Sequence, residues 1–243
     1  MPKPDASWLE ALPRTRCLAE FSLWSANLTG LEADLTRVGD LADIYHIDVA
    51  DGVFAPSLLF FPDMVAALRQ KTAIPFHVHL MCVDAGLRAQ VDQFAEAGAD
   101  MISVHVENGN AAEALTRITA LGLKAGLVLR VETPVADALP LIAAVDILTL
   151  LGTRIGVKGQ SLDPAATARL GQARALIAGR HAAGSHAEGR HAAGRCLLAA
   201  DGGIRQDTVP LLVAAGAETV VMGSLAYGAP DLAERIGWLQ GLR

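Results

Sequence analysis

Histidine and aspartate residues alternate with apolar residues in short segments of this sequence. His46 and Asp48 are two positions apart in one such segment, His77 and His79 are two apart in the next, and Asp201 follows a third. Residues two apart in an extended strand point to the same face of a sheet. Each pair therefore presents two possible ligands side by side.

Four of these side chains form a candidate metal site, namely His46, Asp48, His79 and Asp201. A single buried histidine is better explained by a structural hydrogen bond, but several such residues at one end of a fold favour a shared ligand. Imidazole together with carboxylate suits Zn²⁺, Mn²⁺ or Fe²⁺ and does not suit Ca²⁺ or Mg²⁺. We expect one divalent metal ion per chain, with zinc favoured.

Glycine is concentrated in three later segments, which read GTRIGVKGQ, DGGI and GS. Glycine allows backbone N–H groups to approach an anion closely, and several such segments together are typical of a phosphate site. The candidate phosphate-binding residues are Gly156, Gly159, Gly202, Gly203, Gly223 and Ser224.

A metal ion, two carboxylates and a phosphate site together indicate one class of reaction. The metal would polarise a carbonyl, and a carboxylate would remove a proton from the adjacent carbon. Two carboxylates on opposite sides of the substrate would invert a stereocentre, whereas a single base would give isomerisation or exchange. Asp48 and Asp201 are the candidate acid–base pair.

Eight short apolar segments, which alternate with longer amphipathic ones, must position these residues. The predicted strands are Phe21–Trp24, Ile44–Val49, Phe76–Met81, Met101–His105, Lys124–Leu129, Ile147–Leu151, Cys196–Ala200 and Thr219–Met222. Nearly continuous apolar strands are typical of a parallel sheet covered on both faces. The pattern predicts an α/β protein with a single (β/α)₈ TIM barrel. An open doubly wound sheet is the alternative, but no Gly-x-Gly-x-x-Gly follows the first strand.

The domain organisation is predicted as an N-terminal extension over 1–20 and a barrel over 21–243. Within the barrel, residues 179–195 are rich in Ala, Gly and His and lack bulky apolar side chains, which indicates a mobile insertion. Its histidines, His181, His186 and His191, recur every five residues. A solvated loop explains them better than a metal site.

Composition excludes several other classes of protein. The 243 residues are 52% hydrophobic and carry a formal charge of −6, so the chain is neither disordered nor equipped with a basic surface for nucleic acid. No apolar segment is long enough to span a membrane, and the N-terminus does not resemble a secretory signal. Three scattered cysteines are typical of a reduced, cytoplasmic protein.

The motifs HIDVADGVFAPS, HVHLM, ISVHVEN, DGGI and AGAETVVMGSLAYG make the chain resemble the ribulose-phosphate 3-epimerases over most of its length. The resemblance implies a metal-dependent barrel that acts on a small sugar phosphate and forms homo-oligomers. It assigns His46, Asp48, His79 and Asp201 as metal ligands, and Asp48 and Asp201 as the acid–base pair. It further implies that Ser22 contacts the substrate, that Met81 lines the reacting centre, and that Gly202, Gly203, Gly223 and Ser224 bind phosphate.

The chain also departs from the family pattern. Ala50 and Leu151 replace two methionines of the reacting centre, and Ser57 replaces an asparagine. Arg130 replaces another asparagine, and the altered loop over 154–160 brings Arg154 and Lys158, so these three cations are candidate specificity residues. We therefore expect an epimerase acting on ribulose 5-phosphate or a related ketose phosphate.

Two alternatives remain open at this point. One is a catalytically silent barrel that binds a sugar phosphate, and the other is a related isomerase acting on another phosphosugar. Decarboxylation or aldol chemistry of the wider superfamily is disfavoured, because Ala50 stands where the catalytic lysine of those enzymes would lie.

Overall fold

Eight parallel strands close into a barrel in the computed structural model, which describes residues 1–183 and 194–242, with the backbone alone at 181–183. The strands are β1 (Leu18–Ser22), β2 (Ile44–Ala50), β3 (Phe76–Met81), β4 (Met101–His105), β5 (Lys124–Leu129), β6 (Ile147–Leu151), β7 (Leu197–Asp201) and β8 (Thr219–Met222). They pair in chain order, and β8 pairs with β1. The predicted (β/α)₈ barrel is thus confirmed.

The first strand begins three residues earlier than predicted, at Leu18 instead of Phe21. Leu23–Ser25, which follows it, forms a 3₁₀ turn. The shift matters because it brings Glu20 into the barrel wall, beside Ile44 of β2.

Helices connect most of the strands. They are α1 (Trp8–Ala11), α2 (Leu31–Val38), α3 (Pro62–Arg69), α4 (Asp84–Ala97), α5 (Ala111–Ala120), α6 (Ala166–Ala183), α7 (Val209–Ala215), α8 (Ser224–Tyr227) and α9 (Leu232–Gln240). Two 3₁₀ turns, Val135–Ala138 and Ile142–Ala144, replace the helix predicted over Val135–Ala143. Pro140 lies between them and lacks the N–H that a continuous helix needs. None of the described helices is long and apolar enough to cross a membrane.

Side chains on the outer face of the strands pack against the helices and form the main core. Phe21, Tyr45, Ile47 and Phe76 belong to this layer and are buried. Their neighbours along each strand point into the barrel, as the period of two requires. The interior is therefore lined by a separate set of residues.

The lower part of the barrel interior, at the N-terminal ends of the strands, is apolar. Trp8 and Leu9 of α1 cover a buried cluster whose strand members are Leu18, Ile44, Met101, Ile147, Leu197 and Ala199. Part of the predicted N-terminal extension thus closes this end of the barrel.

The insertion predicted between α6 and β7 is described only at its ends. The backbone of α6 continues to Ala183, and residues 184–193, with His186 and His191, lie outside the described residues, as does the side chain of His181. Arg180 is buried and donates to the carbonyl of Val145 at 2.6 Å. Arg195 is buried and donates to the carbonyl of Leu12 at 2.8 Å.

Candidate active site

A cavity of about 370 Å³ opens at the C-terminal ends of the strands. Most of the residues predicted for the site line it, namely Ser22, Asp48, His79, Met81, Arg154, Gly156, Lys158, Gly159, Asp201, Gly202, Gly203, Gly223 and Ser224. His46 is fully buried beside Asp48 and does not line the cavity. Arg130 also lies outside the lining. Active sites of such barrels are found at this end of the strands.

The four predicted metal ligands meet at the floor of this cavity. Asp48 Oδ1 lies 3.2 Å from His46 Nε2 and 3.3 Å from His79 Nδ1. Asp201 Oδ2 lies 4.0 Å from the same two nitrogen atoms. One ligand atom from each residue lies within 4.8 Å of all the others, which is the spacing of a metal-binding group.

The proton of His79 is assigned by the residues behind it. Its Nε2 lies 2.8 Å from Nε2 of His105, whose Nδ1 lies 2.8 Å from Glu107 Oε2. Burial lowers the pKa of His105 to about 4 against the opposing effect of Glu107, so this imidazole is neutral. With its proton on Nδ1 facing Glu107, His105 accepts from His79 Nε2–H. The network thus leaves a lone pair on His79 Nδ1, facing Asp48.

The proton of His46 is assigned in the same way by Glu20. Glu20 Oε1 accepts from His46 Nδ1 at 2.7 Å, and both side chains are completely buried. Burial opposes ionisation of Glu20, but His77 and His46 outweigh it and hold the pKa of Glu20 well below its usual range. The Nε2 atom of His46 is then the nitrogen that faces Asp48, at 3.2 Å from its Oδ1.

These hydrogen bonds leave one nitrogen of each imidazole facing two carboxylates at one point. Groups that only accept repel each other unless a positive charge lies between them. Burial lowers the pKa of His46, but Asp48 and Glu20 outweigh it and raise that pKa well above its ordinary value, so a proton on Nε2 supplies this charge when no cation is bound. The site therefore favours a positive charge, and the donor set fits a divalent cation.

The two carboxylates of the cluster have different environments. Burial alone would raise the pKa of Asp48, but His46 and His79 hold it well below its usual range, and Ser22 Oγ donates to its Oδ2 at 3.0 Å. For Asp201, burial raises the pKa to about 6 against the lowering by His46, and Asp48 adds a smaller rise. Carboxylates whose pKa values are driven apart are suited to act as base and acid.

Glycines at the ends of β7 and β8 line one wall of the cavity. Gly202 and Gly203 have φ values of +88° and +69°, and a Cβ atom on Gly202 would lie 2.3 Å from Thr153 Oγ1. A Cβ atom on Gly223 would lie 2.5 Å from Ser25 Oγ. The positive φ values of Gly202 and Gly203 favour glycine, and the absence of side chains leaves backbone exposed to the cavity as a phosphate site requires.

The loop over 154–160 lines the cavity and contacts three other loops. Ser57 Oγ donates to the carbonyl of Gly156 at 2.8 Å. Lys158 Nζ donates to the carbonyl of Trp24 at 2.6 Å and lies 4.5 Å from the centre of its indole ring. Arg205, which also lines the cavity, donates to the carbonyl of Gln160 at 3.1 Å. Lys158 and Arg154 line the cavity, and their part in substrate specificity stays a prediction.

Arg130 occupies a different place. Its guanidinium lies 4.1 Å from the centre of the Phe54 ring and donates to the Phe54 carbonyl at 3.0 Å. Its backbone N–H donates to Glu107 Oε1 at 2.9 Å. Arg130 therefore supports the network behind His79 and lies away from the cavity surface.

Sequence reasoning missed the part played by Glu20, His77, Ser103, His105 and Glu107. Glu20 was assigned to the N-terminal extension, although its spacing of two from Ser22 was a usable signal that both face the barrel interior. The sequence places His77 and His105 on strands. Their hydrogen-bond partners could not be predicted, because these depend on the register between neighbouring strands. Arg205 gave no signal beyond its position after the DGGI segment.

Comparison with known proteins gives a consistent result. The model of the ribulose-phosphate 3 epimerase family matches residues 18–227. A chloroplastic ribulose-5-phosphate-3-epimerase of Arabidopsis thaliana is 31% identical over 95% of this chain and 79% of its own length. The ribulose-phosphate 3-epimerase of Synechocystis is 33% identical over 88% of this chain and 89% of its own. Ribulose-phosphate 3-epimerase 1 of Cupriavidus necator is 35% identical over 83% of each.

Solved structures with a similar fold include two with low sequence identity. 3-Hexulose-6-phosphate synthase of Salmonella typhimurium aligns with a TM-score of 0.64 at 16% identity, over 93% of this chain and 97% of the other. Orotidine 5'-phosphate decarboxylase of Pyrococcus horikoshii aligns with a TM-score of 0.61 at 16% identity, over 91% of this chain and 97% of the other. At this level of identity the likeness shows a shared barrel fold.

Proposed function

The chain belongs to the ribulose-phosphate 3-epimerase family, and on that premise we propose that it interconverts the C3 epimers of a ketose phosphate. As a member it is an isomerase of the epimerase class that acts on carbohydrate phosphates. The proposed pair is ribulose 5-phosphate and xylulose 5-phosphate, or a closely related ketose phosphate. The observation that carries the proposal is the meeting of two imidazoles and two carboxylates at the cavity floor.

His46, Asp48, His79 and Asp201 are proposed to hold one divalent metal ion, with zinc favoured over manganese or iron. Their nitrogen and oxygen atoms are the donors that such ions prefer. The bound ion would supply positive charge that stabilises the enediolate form of the substrate. Glu20 and the His105–Glu107 pair support the assignment. Glu20 accepts a hydrogen bond from the far nitrogen of His46, and His105 accepts one from the far nitrogen of His79.

Asp48 and Asp201 are proposed to move the proton. They extend from β2 and β7, two strands that are not neighbours in the barrel, and both line the cavity. One carboxylate takes the proton from C3, and the bonding electrons move toward the C2 carbonyl oxygen to give the enediolate. The other carboxylate donates a proton to the opposite face of C3, which inverts the stereocentre. Ser22 holds Asp48 Oδ2 by its hydroxyl and so orients it.

Gly202, Gly203, Gly223 and Ser224 are proposed to bind the substrate phosphate through backbone N–H groups, with Gly156 and Gly159 closing over it. Lys158 and Arg154 line the same cavity and add positive charge near its mouth. Met81 remains at the cavity wall, whereas Ala50 and Leu151 are not methionine. Because these residues differ from the family pattern, other ketose phosphates should be tested as substrates beside ribulose 5-phosphate.

The experiment is a substrate panel with purified, metal-loaded protein. Ribulose 5-phosphate and other ketose phosphates are incubated separately, and epimer formation is followed by chromatography or a coupled assay. Epimerisation of one of them, lost on chelation and restored by Zn²⁺, Mn²⁺ or Fe²⁺, is expected. Activity on another ketose phosphate alone would overturn the ribulose 5-phosphate assignment. Phosphosugar binding without any turnover would contradict the proposed reaction.

A further inference from the structure

Glu20 is a carboxylate inside the barrel that no step of the proposed reaction uses. Its side chain is completely buried, on the interior face of β1 one strand away from His46. Its Oε1 atom lies 2.7 Å from His46 Nδ1 and 2.6 Å from His77 Nδ1, and its Oε2 atom lies 3.4 Å from Thr219 Oγ1. A buried carboxylate is unfavourable unless its oxygens are bonded, so this arrangement must hold both imidazoles closely.

His77 fixes the direction of these hydrogen bonds. Its Nε2 atom lies 2.5 Å from Ser103 Oγ, and its ring is buried. A carboxylate only accepts, so His77 Nδ1 carries a proton toward Glu20, and Ser103 donates its hydroxyl proton to Nε2. With both ring nitrogens engaged, His77 holds the same oxygen of Glu20 that accepts from His46.

His46 is then restricted to one tautomer. Its Nδ1–H donates to Glu20, so Nε2, which lies 3.2 Å from Asp48 Oδ1, is the nitrogen left to bind a metal ion. We infer that Glu20 is a positioning residue for the metal site, which orients His46 and increases the electron density on its Nε2 atom. The inference rests on the proposed metal site at His46, Asp48, His79 and Asp201. Carboxylates behind metal-bound histidines have this effect in other proteins.

Glu20, His46 and His77 also lie close enough to suggest a second metal site. The distances argue against that alternative. Two ligands of one tetrahedral zinc ion, each bonded at about 2.0–2.2 Å, lie about 3.3 Å apart. The contacts of 2.6 and 2.7 Å from Glu20 Oε1 are those of hydrogen bonds.

The test compares metal affinity in Glu20→Gln with that in two controls. Zn²⁺ and Mn²⁺ affinities are measured by competition with a chromophoric chelator, without any substrate. Glu20→Gln keeps the shape and removes the charge, so the affinity is expected to fall about 10- to 100-fold. Wild-type protein and Thr219→Val should bind equally well, because this variant removes only the hydroxyl beside the other carboxylate oxygen and the Leu18 carbonyl. Thermal unfolding of the metal-free proteins verifies that each variant is folded.

A second measurement uses the wild-type chain alone. In the zinc-loaded, ¹⁵N-labelled protein, the imidazole resonances of His46 should show a protonated Nδ1 and a metal-bound Nε2. Coordination of the metal through His46 Nδ1, or equal metal affinity of Glu20→Gln and wild type, would overturn the role of Glu20 and leave the proposed function standing. A wild-type chain that binds no divalent metal would contradict the proposed function as well, so the two failures are distinguishable.

Discussion

The lower and upper parts of the barrel interior are built by the same strands but have opposite chemistry. In the lower part, Leu18, Ile44 and Met101 pack together under Trp8 and Leu9 of α1. Two residues further along the same strands, the side chains are Glu20, His46 and Ser103, all buried and polar. One step of the two-residue period thus separates an apolar core from a hydrogen-bonded network.

This difference shows how the barrel divides stability from function. Burying an aliphatic side chain stabilises the fold by roughly 1.5–3 kcal/mol, whereas burying polar groups is favourable only when each finds a partner. The network from Ser103 through His77, Glu20 and His46 supplies such partners. We therefore expect substitutions in the upper part to change chemistry first, and substitutions in the lower part to change stability first.

The largest expected effect is on the two carboxylates of the upper part. Asp48→Asn or Asp201→Asn should reduce kcat for epimerisation by about 10²- to 10⁴-fold, because an amide cannot exchange the proton at C3. The measurement is steady-state turnover of the substrate identified in the panel, with metal content verified. A variant with full activity would contradict the proposed mechanism.

The matching substitution in the lower part is Leu9→Ala. Leu9 is completely buried, so the cavity left behind should lower the free energy of unfolding by about 2–5 kcal/mol. Urea unfolding measures this loss, and metal affinity and kcat of the folded variant should match those of the wild type. Lost metal affinity with unchanged stability would show that the two parts of the interior are not separable in this way.

The sequence predicted the strands and the ligands inside the barrel better than the contacts made by the loops around it. Apolar runs located the strands, and the spacing of His46 and Asp48 placed both on one face. The role of Glu20 was missed because the boundary of β1 was set at Phe21. The contacts of Lys158 and Arg130 depend on the paths of loops, which no periodic pattern determines. Pro140 was a visible signal against the helix that was predicted over Val135–Ala143.

A smaller effect is expected for cations at the two ends of the barrel. Lys158 lines the cavity, so Lys158→Met should raise KM for the phosphorylated substrate about fivefold, equivalent to roughly 1 kcal/mol at an exposed site. The matched control is Lys124→Met at the lower end, where Lys124 Nζ lies 2.9 Å from Glu10 Oε1. Its KM should equal that of the wild type. A fall in kcat without a rise in KM for Lys158→Met would contradict a role in binding.

The smallest effect is expected for Thr149→Val, between the two parts. Thr149 is buried on β6, and its hydroxyl has no hydrogen-bond partner among the residues that the structure describes. Valine has nearly the same shape, so the free energy of unfolding should stay the same or rise by up to about 1 kcal/mol. Urea unfolding tests this, and a clear loss of stability would show that the hydroxyl is bonded in solution.

The central claim is that two carboxylates, one on each side of the substrate, invert C3. For the test, the metal-loaded wild-type chain acts in D₂O on substrate that carries ordinary hydrogen at C3. The first product formed is analysed by mass spectrometry and NMR. Because the acid that protonates C3 differs from the base that deprotonates it, the first product should carry solvent deuterium at C3. Product that retains the original C3 hydrogen would indicate a single base and would contradict the two-carboxylate mechanism.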